Sequence, residues 1–173
     1  MPSSKRLFIL RHAKSSWDDP GLTDHERPLA PRGRRAVEAI AAHVNAEGIT
    51  PELVLCSSAR RTRETLEGVG IGGEHVIESD LYGASCQDVL ERLHRVPEDI
   101  GSVMLVGHNP TLQALVLRLA DDDTATNGSN LLEVRRKFPT GALATLTFDG
   151  PWKELSPRSA RLASYVRPKS LGF

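Results

Sequence analysis

Neither sign of charge prevails in this chain. Its 173 residues carry 22 Lys and Arg against 22 Asp and Glu, a formal net charge of zero. A general nucleic-acid or anionic-membrane binder would carry a basic excess, so neither kind of partner is expected. Cysteine is scarce. Cys56 and Cys86 stand alone, with neither Cys-x-x-Cys nor metal-ligand spacing, which suits a reduced, intracellular protein. Long apolar runs are missing too, and no stretch is long enough to span a bilayer. Met1 to Arg6 leads into only a short apolar run without the h-region of a signal peptide, so a soluble cytoplasmic protein is expected. Internal repeats and linkers are absent, and the length suits a single α/β domain over residues 1–173. The glycine-rich stretch Gly68 to Gly73 does not follow a strand and open a helix, as a dinucleotide loop requires, and reads as a turn.

What the chain does contain is a regular alternation of strands and helices. Residues 6–12 read as a first strand with a β-branched and aromatic centre. A long polar loop from Lys14 to Ala30 follows, and loops of that length are usually functional or disordered. Val37, Ile40, Ala41 and Val44 then mark one face of a helix that starts at Pro31 and stops before Gly48. Further strands are expected at 53–56, 75–78, 103–106, 142–148 and 161–166, the last at a sheet edge. Helices are expected from about Ala59, from a Ser85 cap to about Arg95, and over Leu112 to Leu119. Asp121 to Asn130 reads as a mobile loop. The pattern predicts an α/β fold, a three-layer α/β/α sandwich with a mostly parallel central sheet.

Three of these strands end in polar chemistry. The first delivers Arg11 and His12, the second is followed by Arg60, Arg61 and Arg63 at a helix start, and the fourth delivers Gly107 and His108. Ligands of open α/β sheets bind beyond the carboxyl ends of strands. Guanidinium forks suit phosphate oxygens, and a neutral imidazole can attack phosphorus. Two imidazoles and two or more guanidiniums at one sheet edge therefore describe a pocket for a dianionic phosphoryl group. Phosphoryl transfer is mostly positioning and charge stabilisation, so such groups can stand in for a metal ion. His12 must be neutral to attack while His108 helps most when protonated, so the pocket is expected to push their pKa values apart. Lys14 and Ser15 are candidates for substrate binding, Trp17 lines the entrance or packs beneath the loop, and Cys56 reads as a core residue.

The motifs also resemble a known family. Leu-Arg-His-Ala at 10–13, the segment from Cys56 to Thr65 and Val-Gly-His-Asn-Pro at 106–110 are similar to the ordered motifs of the histidine phosphatase, or phosphoglycerate-mutase-like, superfamily. The strings at 11–17, 27–33 and 137–142 resemble the small SixA-type phosphohistidine phosphatases. The resemblance implies a metal-independent, cofactor-free phosphatase in which His12 becomes phosphorylated while Arg11, Arg61 and His108 hold the phosphoryl oxygens. The Arg-x-x-x-Thr spacing selects Arg61, paired with Thr65, over its arginine neighbours. Mutases of the superfamily carry a carboxylate three residues before a Tyr-Gly pair, whereas counting back from Tyr82 gives Ser79, flanked by Glu78 and Asp80. A missing proton donor suits a phosphohistidine, whose imidazole can take its proton from solvent. The substrate is then a phosphorylated protein. The alternatives are a small-metabolite phosphomonoesterase using Glu78 or Asp80 as acid, and a non-catalytic phospholigand-binding module. A metal hydrolase lacks paired carboxylates or a His-x-His string.

Overall fold

The computed structural model describes residues 4–123 and 127–172. At its centre lies β1 (Ser4–Arg11), whose interior residues are apolar and lack Gly and Pro. The other strands are β2 (Leu53–Ser57), β3 (Glu74–Glu78), β4 (Ser102–Gly107), β5 (Leu143–Asp149) and β6 (Arg161–Val166). They form one six-stranded sheet in the order β3-β2-β4-β1-β5-β6. The first four are mutually parallel, β5 runs antiparallel to β1, and β6 antiparallel to β5, at the edge. Hence only β5 opposes the common direction.

Side chains alternate between the faces of a strand, so each strand supplies two cores. Phe8 and Leu10 face one way, against α1 (Pro31–Ala46) and α2 (Arg60–Val69), through Val37, Ile40, Val44, Leu66 and Val69. Leu7 and Ile9 face the other way, onto α3 (Cys86–His94), α4 (Thr111–Leu119) and α5 (Asn130–Arg136). Each fully buried Leu or Ile is worth roughly 1.5–3 kcal/mol over exposure, and β1 shares its double-sided burial with β2 and β4, which tie the two layers together. The expected three-layer sandwich is thereby realised.

Local chemistry sets the helix ends. Ser85 caps α3 in a reciprocal capping box with Asp88. Pro31 starts α1, which has no side-chain cap. The turn expected over Gly68 to Gly73 begins inside α2 instead: Gly68 lies in its last turn, where a Cβ would come within 2.5 Å of Val37 Cγ1. Glycine there allows α1 and α2 to approach; the left-handed stop is Gly70. The loop expected over 121–130 lies partly outside the described residues, and α5, starting at Asn130, is an addition that its single apolar turn did not announce.

The sheet order places the carboxyl ends of β2, β4 and β1 side by side. Arg11 pairs with Gly107 and Cys56 with Val106 in register. His12 and His108 therefore leave the sheet at the same level, each one residue beyond a paired position.

Candidate active site

The end of β1 is held from both sides. His12 N–H donates to Gly107 O at 3.1 Å and Arg11 N–H to Ala142 O at 3.0 Å, while Gly141 N–H returns to His12 O at 3.0 Å. Ala13 N–H then donates to Thr65 Oγ1 at 3.0 Å, and that hydroxyl donates to Arg61 O at 2.7 Å. Thr65 thus ties the turn after β1 to the turn of α2 that carries Arg61, which explains the Arg-x-x-x-Thr spacing physically.

Ring chemistry follows from these anchors. His12 Nδ1 lies 2.7 Å from Ala13 O, and a carbonyl can only accept, so Nδ1 carries the proton. Nε2 is left as the lone-pair nitrogen of a neutral ring. His108 stands beside it, ring centroids 5.4 Å apart. Its Nε2 is 2.7 Å from Ser57 Oγ and its Nδ1 is 3.5 Å from Arg61 Nη2. A guanidinium only donates, so both contacts attract when His108 is neutral with its proton on Nε2.

Electrostatics agree with that tautomer and correct one expectation. Burial lowers His12 to about 3, opposed by the Ala13 hydrogen bond and reinforced by His108, Arg11 and Arg61. Burial and Arg61 lower His108 to about 4, with Asp24 pulling the other way. The two pKa values are therefore pushed the same way, not apart, because both rings are buried first of all and also sit among the same guanidiniums. Arg11 is itself lowered by burial and by Arg61.

The arginines are oriented by acceptors at the rim. Arg11 Nη1 and Asn109 Nδ2 both donate to Phe138 O, at 3.0 and 2.9 Å. Arg61 Nη1 donates to Asp24 O at 2.8 Å, and Nη2 to Asp24 Oδ2 at 3.0 Å. Arg11 Nε and Arg61 Nε are buried without an acceptor among the described residues. Unpaired buried donors of this kind are costly, and an acceptor that reaches them in the cleft is thereby favoured. Of the arginine trio, only Arg61 is buried: Arg60 pairs with Glu64 and Arg63 donates to Ser58 O near the surface.

Sequence reasoning missed Asp24, Arg27 and Ser57 as parts of the site. Asp24 sits on a short 3-10 turn in the long loop and accepts from Tyr82 Oη at 2.6 Å, Arg61 and Arg27. Tyr82 first, then Arg61 and Arg27, hold its carboxyl down at about 2. The loop is ordered by an isolated bridge between Ser15 and Leu29 and by Arg27, whose Nη1 reaches Ser15 Oγ at 2.8 Å. Ser15 is therefore buried and engaged by Arg27, while Lys14 is exposed at the rim. Trp17 is 70 % exposed and lines the cleft entrance, stacked by the Arg27 guanidinium 3.5 Å from its ring centre rather than buried under the loop. Cys56 is fully buried, its thiol raised to about 12 by burial, and inert.

Neither acid named for the small-metabolite alternative lines the cleft, in keeping with a missing proton donor. Glu78 is held by Arg92 at 2.8 Å, and Asp80 lines a separate cavity with Arg92 and Arg95. The cleft itself has a volume of about 520 Å³ and is lined by Arg11, His12, Arg61, His108, Asp24 and Tyr82 among others. It can bind a dianion against two guanidiniums and offer it an imidazole lone pair. Among the described residues, no three His, Cys, Asp or Glu side chains cluster as a metal site.

Comparison with known proteins gives this geometry a family. A sequence model of the histidine phosphatase superfamily (branch 1) matches residues 7–82, which include Arg11, His12 and Arg61. An uncharacterized protein of Mycobacterium tuberculosis is 37% identical over 160 residues, covering 92% of this chain and all of that protein. The chain belongs to the histidine phosphatase superfamily. A candidate phosphohistidine phosphatase SixA from Nakamurella multipartitia superposes with a TM-score of 0.84 at 30% identity, over 97% of this chain and 99% of that one. Escherichia coli phosphohistidine phosphatase SixA is 26% identical over 177 residues, 93% of this chain and 99% of that protein. As a SixA-like histidine phosphatase, the chain has the phosphoglycerate-mutase-like fold expected of it. No helix among the described residues is long and apolar enough to cross a membrane.

Proposed function

We propose that this histidine phosphatase, acting as one domain over residues 1–173, is a metal-independent phosphohistidine phosphatase of the cytoplasm. The observation that carries the reading is the His12 ring: Nδ1 is committed to Ala13 O and Nε2 is an unprotonated lone pair in a cleft of guanidiniums. Nε2 attacks the phosphorus of a phosphohistidine on a partner protein, and the bond from phosphorus to the substrate imidazole breaks. That imidazole leaves with a proton from solvent. Water then attacks phospho-His12, the P–Nε2 bond breaks, and inorganic phosphate departs. Arg11, Arg61 and His108 hold the phosphoryl oxygens throughout, Lys14 adds a cation at the rim, and the buried Ser15 backs the cleft wall.

The substrate class is supported by the acids. Asp24 is the carboxylate of the cleft, and at about 2 it stays ionised at neutral pH and has no proton to give. Glu78 and Asp80 are elsewhere. An alcohol leaving group needs a proton in the transition state far more than an imidazole does, so a phosphoramidate fits and a sugar or glycerate phosphate does not.

The test is hydrolysis of a phosphohistidine peptide, p-nitrophenyl phosphate and 3-phosphoglycerate with chelator present, comparing wild type with His12→Ala. Preference for the peptide, lost in the variant, is expected. Equal turnover of peptide and phosphoglycerate would move the small-metabolite reading ahead, and phosphate binding without turnover would leave a binding module.

A further inference from the structure

A second cavity, of about 640 Å³, adjoins the catalytic cleft, and Lys14 and Thr140 line both. Its cationic lining is Lys14, Arg32, Lys137, Arg167 and Lys169, and among the described residues no acidic side chain lines it. In a chain of zero net charge that is a segregation of sign, since overall basicity cannot account for it. The cations arrive from four separate places: the loop after β1, the first turn of α1, the segment between α5 and β5, and the stretch after β6, where Arg167 precedes and Lys169 lies within the turn Pro168–Leu171. Arg167 is shared with Glu133 at 3.6 Å, so most of the outward charge lies on the exposed lysines. Pro139 and Pro168 add apolar surface to the same cavity.

We propose that this groove is a docking subsite for an acidic stretch of the phosphoprotein substrate, flanking the phosphorylated residue held in the catalytic cleft. The proposal rests on the phosphohistidine reading and adds to it what the substrate carries beside the phosphoryl group. An acidic peptide is favoured over a second phosphate by the chemistry of the lining. Lysines act as flexible point charges, and cations contributed from separate places suit several dispersed carboxylates better than one compact phosphate. The lining combines three lysines with two prolines, which suits a peptide carrying both acidic and apolar residues. Charge of one sign in a channel that leads to the nucleophile also steers an acidic partner toward it.

The experiment compares two phosphohistidine peptides, one flanked by glutamates and one by glutamines, on wild type and on Lys137→Glu/Lys169→Glu. Both lysines are exposed and lie outside the catalytic cleft, so turnover of the small phosphoramidate ion is expected to stay unchanged in the variant. Wild type is expected to prefer the glutamate peptide by roughly tenfold in KM at low salt, with little change in kcat. Charge reversal should abolish that preference, and Lys137→Gln/Lys169→Gln should reduce it. Equal KM values for the two peptides on wild type, or a preference that survives reversal, would overturn the proposal while leaving the phosphatase reading intact. If wild type hydrolyses no phosphoramidate, that reading fails instead. Binding of the unphosphorylated glutamate peptide, measured by fluorescence anisotropy, then decides the groove alone: binding lost on reversal supports it, and no binding overturns it. Tight binding of pyrophosphate through the same lysines, without binding of the peptide, would also overturn it and mark a small-polyanion subsite.

Discussion

Arg61 is gripped by one residue at two points: Asp24 takes Nη1 on its backbone carbonyl at 2.8 Å and Nη2 on its carboxylate at 3.0 Å. The second oxygen of the same carboxylate receives Arg27 Nε at 3.1 Å. A negative charge beside a phosphate site opposes anion binding, so its presence needs a compensating role. Here it fixes the plane of the guanidinium and, through Tyr82, ties the long loop to the segment after β3.

Replacing Asp24 by Ala should therefore weaken transition-state positioning more than it relieves repulsion. A loss of roughly tenfold to hundredfold in kcat/KM is expected, the size that small misplacements near reacting atoms produce. Because Asp24 also raises the His108 pKa, the variant should lose its His108-dependent anion binding at lower pH than wild type does. An Asp24→Ala enzyme with unchanged kinetics and pH profile would remove Asp24 from the machinery.

The paired imidazoles make a prediction about stability. Both folded-state values, about 3 for His12 and about 4 for His108, lie below the ordinary 6.5. Between those values and 6.5 the unfolded chain binds more protons than the folded one, so stability rises with pH there. The contribution is full well above pH 6.5 and is lost as pH falls toward 4. Each histidine can contribute up to about 1.4 kcal/mol per pH unit across that window. Urea unfolding of wild type and His108→Gln from pH 7.5 to 4.5 should show a shallower slope in the variant. Parallel slopes would mean that His108 is not held neutral by the fold.

Anion binding should reverse that balance. A dianion placed between Arg61 and His108 turns a repulsive surrounding into an attractive one, and the His108 pKa must rise when it binds. Sulfate, which does not itself titrate near neutrality, should bind more tightly as pH falls from 8 to 6. Calorimetry in buffers of different ionisation enthalpy should register proton uptake in wild type and little in His108→Gln. Uptake of the same size in both would assign the proton to another group. Protonation of His108 is then a property of the anion complex, which reconciles its low value in the free cleft with the oxygen-holding role proposed for it.

Much of this was legible in the sequence because strands and helices repeat with different periods. Arg11-His12 and Gly107-His108 announced themselves by following apolar runs, and parallel order brought them to one level. Asp24 did not, since it lies in a loop without periodicity and its importance depends on Arg61, 37 residues away. Proximity in sequence to Tyr82 left Glu78 and Asp80 open as acids for the alternative; the chain turns there, and Arg92 from α3 claims Glu78. The shared direction of the two imidazole shifts was hidden for a similar reason, because burial and the summed field of Arg11 and Arg61 exist only after folding. Local pattern reveals which residues reach the edge, and tertiary contact decides what charge they hold there.

Gly33 offers a test in which two opposing magnitudes can be compared. It lies in the first turn of α1, where Ala would be favoured over Gly by about 1 kcal/mol in an unconstrained helix. At this position, however, a Cβ would stand 2.1 Å from Lys14 O, the carbonyl that receives Ala30 N–H at 2.8 Å. Backbone cannot swing aside as a flexible side chain can, and overpacking of this kind costs about 1–3 kcal/mol or more. The clash should win. Gly33→Ala is expected to lower stability, to displace the backbone that carries Lys14 and Ser15, and to raise KM before it affects kcat. Denaturant unfolding together with steady-state kinetics separates these effects. A variant more stable than wild type would mean that the loop yields freely, and that the close approach of α1 to Lys14 does not hold the rim of the cleft in place.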